Sequence, residues 1–195
     1  SPATTLYWVG GDPLNLNAGA FAIAGDDDWI NPDNWSTTSD FYTGTNKCVP
    51  DITTDVIFDA GSFDGGNLDV NIGSDVSAKS IDFTGVDEAA TFSGITARTV
   101  TIDGPLTLDN TIITYPFAGT YNMTGGAGSI ILISSNGPTS LSGDLLIDAA
   151  AKTYNIENDL TVEQLELNQG TIYLKANVTC ANIDATGTFT RAFNF

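Results

Sequence analysis

From about Leu68 onward the chain is a succession of very short alternating segments, cut apart by Gly, Asn and Asp. Examples are Leu68-Asp69-Val70-Asn71-Ile72, Val100-Thr101-Ile102, Leu106-Thr107-Leu108, Leu160-Thr161-Val162, Leu165-Glu166-Leu167 and Ile172-Tyr173-Leu174. Alternation with a period of two, bounded by turn formers, marks half-buried strands. Helical periodicity is absent nearly everywhere, so the expected class is all-β.

The segments also repeat. An apolar spacing of zero, five and seven recurs at Val76, Ile81, Phe83; at Ile95, Val100, Ile102; at Leu160, Leu165, Leu167; and at Val178, Ile183, Ala185. The starts differ by 19 (95 minus 76) and by 18 (178 minus 160). A period of that size is one coil of a β-solenoid, similar to a parallel β-helix, in which each turn buries its apolar edge only by stacking on its neighbours. Thr107, Thr161, Asp82, Glu166 and Asp184 then face outward, and Gly85, Gly170 and Gly187 take corners that need positive φ. Gly119 to Gly143 breaks the register and is expected to be an irregular coil or a projecting loop. An antiparallel β-sandwich is the alternative, because its strands also recur at short intervals.

Residues 1–66 differ in texture from residues 67–195. The first region holds Trp8, Trp29 and Trp35, four prolines (Pro2, Pro13, Pro32, Pro50) and the run Asp26-Asp27-Asp28. It reads as an N-terminal capping region, and the second as the β-repeat region continuing the same fold. That repeat region ends in mid-pattern at Phe193-Asn194-Phe195, which implies an apolar end covered by further repeats of the same chain or by a neighbouring subunit.

Charge and composition narrow the function. With 24 acidic and 6 basic residues the net charge is -18, a surface that repels phosphate backbones and anionic headgroups; neither nucleic acid nor membrane insertion is expected. There is no histidine, which removes a serine-histidine triad and the commonest zinc ligand. Cys48 and Cys180 are the only two cysteines, to be read as one long-range disulfide or as two free thiols. Low Lys content, abundant Thr, Asn, Asp and Gly, and an opening Ser1-Pro2-Ala3 that reads as a processed N-terminus favour an extracellular, secreted protein.

The pattern Leu6-Tyr7-Trp8-Val9-Gly10-Gly11, Asp28-Trp29, Asn34-Trp35-Ser36, Val49-Pro50, Asp55-Val56-Ile57-Phe58-Asp59-Ala60-Gly61-Ser62-Phe63 and Ser80-Ile81-Asp82-Phe83-Thr84-Gly85 resembles a module of long, repetitive secreted surface proteins of Bacteroidota. Many of those are adhesin-like and exported by the type IX route. Similar modules occur in phage fibre and structural proteins. The resemblance is close from the start of the chain to Asn110 and looser over the later Thr-rich β-repeats, and it implies a non-enzymatic building block of an extracellular assembly: a surface filament or long adhesin, with a phage or virus fibre as the alternative. The chain departs from the pattern by an insertion between Gly11 and Trp29 and by Cys48 just before Val49-Pro50.

Candidate chemistry is sparse. Asp26, Asp27, Asp28 and Asp33, with Asn31 and Asn34, gather hard oxygen ligands that suit calcium, although the spacing is not that of an EF-hand loop and a solvated acidic turn is the competing reading. No cofactor is required. Trp8 and Trp35 are expected to plug the N-terminal end of the core. Trp29, expected to be exposed, joins Phe41 and Tyr42 as a platform for a cell-surface glycan or a partner. A polysaccharide-degrading β-helix would need paired carboxylates, for which Asp82 with Asp184, or Glu157, Asp159, Glu163 and Glu166, are the places to look. Thr is not spaced as a regular Thr-x-Thr ladder, so an ice-binding face is not expected. Asn34, Asn122 and Asn177 open N-glycosylation patterns.

Overall fold

A computed structural model describes residues 5–10, 27–39, 48–63, 68–125, 130–135, 139–185 and 191–194. Among them the strands are, in chain order, β1 (Thr5–Trp8), β2 (Trp35–Ser36), β3 (Asp55–Ile57), β4 (Asp69–Ile72), β5 (Val76–Ala78), β6 (Ser80–Asp82), β7 (Thr91–Gly94) and β8 (Thr99–Ile102). They continue as β9 (Leu106–Leu108), β10 (Thr120–Met123), β11 (Ile130–Ser135), β12 (Thr139–Ser140), β13 (Asp144–Ile156), β14 (Leu160–Leu174), β15 (Val178–Asp184) and β16 (Arg191–Asn194). The only helical turn among the described residues is the 3-10 turn Pro32–Asn34.

The strands wind into a parallel β-solenoid of about five turns with three faces. On the first face β4 pairs with β7, single bridges link Thr91 to Thr114 and Tyr115 to Leu141, and β12, β14 and β15 follow in register. The second face stacks β5, β8, β10, the first half of β13 and the middle of β14. The third face stacks β1, β3, β6, β9, β11, the second half of β13, the end of β14 and β16. Each rung repeats the alternation seen in the sequence. Leu106 and Leu108, Val100 and Ile102, and Leu165 and Leu167 point into the core, while the residues between them are half-exposed.

The interval expected from the sequence holds only at the C-terminal end, where Leu160 pairs with Val178 and Leu165 with Ile183. Val76 pairs with Val100, and not with Ile95, which is 55 % exposed at the corner after β7. The long coils hold their extra residues at the corners, so counting apolar residues along the chain finds the right rung only where the corners are short. Among the described residues of Gly119 to Gly143 the expected break in register does not interrupt the ladder. β10 lies in register between β8 and β13, and β11 between β9 and β13. The close stacking there depends on Gly143, whose Cβ, were it present, would run into the carbonyl oxygens of Gly119 and Phe117. Of the expected positive-φ corners, Gly170 is one, at 107°, and Gly85 is not; Gly187 lies outside the described residues.

The N-terminal region continues the third face through β1 and β3, and β2 then lies antiparallel on β1, Trp8 beside Trp35. Behind this edge Trp8, Trp29 and Trp35 are all fully buried, with ring centroids 5.1 Å apart for Trp8 and Trp35 and 4.8 Å for Trp29 and Trp35. Phe58 stacks on Phe83 at 4.3 Å, and Phe92, Phe117 and Tyr121 carry the aromatic spine into the middle of the column. Burying each such ring contributes roughly 1.5–3 kcal/mol, which makes the aromatic plug the strongest single anchor of this end.

Candidate functional site

The acidic residues have mostly structural work. One set reaches across to the next coil. Asp55 accepts from Lys79 Nζ at 2.7 Å and from Ser80 Oγ at 2.6 Å, Asp75 from the Thr99 amide at 3.0 Å, and Asp103 from Thr124 Oγ1 at 2.9 Å. Asp148 accepts from Gln169 at 2.7 Å, Glu157 from Lys175 at 2.8 Å, and Asp159 from the Asn177 amide at 2.9 Å. A second set closes turns on itself: Asp51, Asp82 and Asp109 each accept from both the amide and the hydroxyl of the Thr two residues on. Asp51 is held below the ordinary carboxylate range by its bonds to Thr53. This Asp-x-Thr motif is visible in the sequence, and its physical basis is the Asx turn.

These placements correct several expectations. Asp82 lies on the third face in β6 and Asp184 on the second face at the end of β15. At about 4.8 Å per rung they stand some five rungs, roughly 24 Å, apart, too far to act as paired carboxylates. Of the other carboxylates considered, Glu157 and Asp159 are engaged with Lys175 and Asn177. Trp29 is 0 % exposed between Trp35 and Phe92, so it belongs to the plug and has no face free for a sugar ring. Phe41, Tyr42 and Asp26 lie outside the described residues. Asp28 accepts from the Ile30 amide with Oδ1, its carbonyl accepts from Asn34 Nδ2, and the Asp33 amide donates to Asn31 Oδ1, which caps the 3-10 turn. Among the described residues, which include Asp27, Asp28 and Asp33, no three acidic side chains converge as a metal-holding group. Asn34 is buried, which removes it as a glycosylation acceptor.

Cys48 and Cys180 are both free thiols. Cys48 precedes β3 near the plug, whereas Cys180 pairs with Val162 on the last coil, so the length of the column separates them and a disulfide cannot form.

Among the described residues two surfaces stand out as not consumed by the fold. The first is the C-terminal edge. Among the described residues β15 and β16 pair only with β14, and Ile183, in the column of Leu145 and Leu165, is 61 % exposed. The second is the outer side of the first face, where Thr114, Ser140, Thr161 and Thr179 are exposed and Thr91 half-exposed in one column. Beside Thr114 and Ser140 lies a cavity of about 390 Å³. The charge on the other faces is different. On the second face Asp144 is pushed above the ordinary carboxylate range by burial and by the Glu163 charge.

Comparison of the chain with protein-family models, with curated proteins and with solved structures finds no match in any of the three.

Proposed function

We propose that the chain is a structural and adhesive segment of an extracellular assembly, a rod-like module of a surface filament or long adhesin that does no catalysis and requires no cofactor. The observation that carries this reading is the stacking of every coil in parallel register on its neighbours over one continuous apolar core, a column that lengthens coil by coil. On the third face antiparallel β2 lies over β1 beside three buried tryptophans, while among the described residues β15 presents a core position, Ile183, to solvent. A parallel edge of that kind is a template for another strand. A further coil, from the same chain or from a neighbouring subunit, would bury Ile183 and extend the column, and stiffness along the axis comes from the backbone ladders and the continuous core.

Immunogold microscopy on intact cells or particles of the source organism tests the reading. Decoration of surface filaments is the expected result, with Ile183→Asp reducing the filaments. Labelling that appears only after permeabilisation would overturn it.

A further inference from the structure

Along the outer side of the first face Thr91, Thr114, Ser140, Thr161 and Thr179 stand in one column on strands about 4.8 Å apart, and the Thr114 hydroxyl donates to that of Thr91 at 3.4 Å. Ser93 and Ser142 stand in the adjacent column. In a chain of net charge -18 this strip is nearly neutral, with Glu163 the one ionisable side chain among the described residues on its outward positions between Thr91 and Thr179. Midway along it, the pairing of coils narrows to the single bridges Thr91–Thr114 and Tyr115–Leu141, and the cavity of about 390 Å³ opens beside the second.

The walls of that cavity are chemically specific. Asn110, Thr114, Ser140 and Ser142 supply uncharged donors and acceptors, while Pro116 supplies exposed apolar surface over the buried Ile113 and Tyr115. Tyr115 is fixed: its hydroxyl accepts from the Asp109 amide at 2.8 Å and lies 3.2 Å from the Asp109 carbonyl. Asn110 Oδ1 is buried without a hydrogen-bond partner, a costly state that rotation of the amide into an occupied cavity would relieve. No lining side chain is charged, so a cation finds no counter-ion and an anion meets the repulsion of the whole molecule. The volume falls in the range of small-ligand sites.

We infer that this cavity and the hydroxyl column beside it bind an uncharged glycan, one pyranose ring seated against Pro116 within the polar rim of Thr114, Ser140 and Ser142 and the rest of the chain running along the rungs. A sugar ring has the matching chemistry, an apolar C–H face with a rim of hydroxyls. The inference rests on the adhesive half of the proposed function and is independent of the open edge at Ile183.

Affinity gel electrophoresis with laminarin, mannan, xyloglucan and polygalacturonate tests it. Retardation by at least one of the three neutral polysaccharides is expected, weakened tenfold or more by Ser142→Trp, which fills the cavity, and by the milder Thr114→Ala, each with an unchanged circular dichroism spectrum. No retardation by any neutral polymer, retardation by polygalacturonate alone, or equal retardation of wild type and Thr114→Ala would each overturn the inference, as would inhibition of ice recrystallisation lost in the same variants without glycan binding. Surface labelling of filaments is read separately, so a failed glycan assay leaves the rod reading standing.

Discussion

Leu165 and Ile183 are paired rungs of one inward-facing column, yet Leu165 is 0 % exposed and Ile183 is 61 % exposed. The difference is made by the coil on the far side: Leu165 has Leu145 beneath it and Ile183 above it, whereas Ile183 has a described neighbour on one side only. Burial in this fold is therefore a property of stacking, and the same residue type in the same register is worth very different amounts at different heights.

That asymmetry sets the first prediction. Leu165→Ala should cost about 2–5 kcal/mol, as for a fully buried leucine, whereas Ile183→Ala should cost under about 1 kcal/mol in the isolated chain. Urea denaturation of the two variants checks this, and equal losses would mean that Ile183 is already covered.

The corner geometry sets the second. Ala151 has φ 58° at the bend of β13, where a left-handed backbone costs an L-residue about 1–2 kcal/mol. Ala151→Gly should therefore raise stability slightly, by about 0.5–1 kcal/mol after the entropy of glycine in the unfolded chain is counted. Gly143→Ala should lower it by about 1–3 kcal/mol, because the added methyl meets backbone carbonyls that cannot give way. A loss of stability in Ala151→Gly would contradict the strained corner.

The distance between the thiols sets the third. Two free thiols at opposite ends of the column predict the same intact mass with and without reductant and two equivalents of alkylation after denaturation. A mass two protons lower before reduction would show a bridge and a different fold of the N-terminal region.

What could be read from the sequence, and what could not, follows from the same geometry. Alternation gave the strands because it is local, and the interval from Leu160 to Val178 gave the coil because the last corners are short. The earlier coils defeat counting. The outward hydroxyls of Thr91, Thr114, Ser140, Thr161 and Thr179 are unevenly spaced along the chain, the first intervals wider than the last, and still stand in one column, since corner loops absorb the excess. A hydroxyl column that is regular in space is thus irregular in sequence. Trp29 is hidden for another reason: the bridge from Asp28 to Asn71 brings its acidic loop onto the end of the first face, where the indole is buried. The carboxylates were legible as turn formers through Asp-x-Thr, and illegible as links between coils, because each link spans a whole turn.

The last prediction concerns alkaline pH. Burial pushes the phenols of Tyr115, Tyr121 and Tyr154 well above the ordinary value of 10.0, Tyr121 at a site where its hydroxyl has no hydrogen-bond partner. A raised folded-state value means that the native state holds its protons more tightly than the unfolded chain does. The stability this provides is complete below pH 10 and falls as the unfolded chain's phenols ionise above it, by up to about 4 kcal/mol per pH unit for three such groups. The fold should therefore unfold cooperatively above pH 10, with tyrosinate absorbance and loss of the β circular dichroism signal rising together. Tyr121→Phe removes the unpaired hydroxyl, and should hold or raise stability at neutral pH and shift the alkaline midpoint upward. Ionisation of all three phenols while the β signal stays intact would place them in contact with water and contradict the closed core.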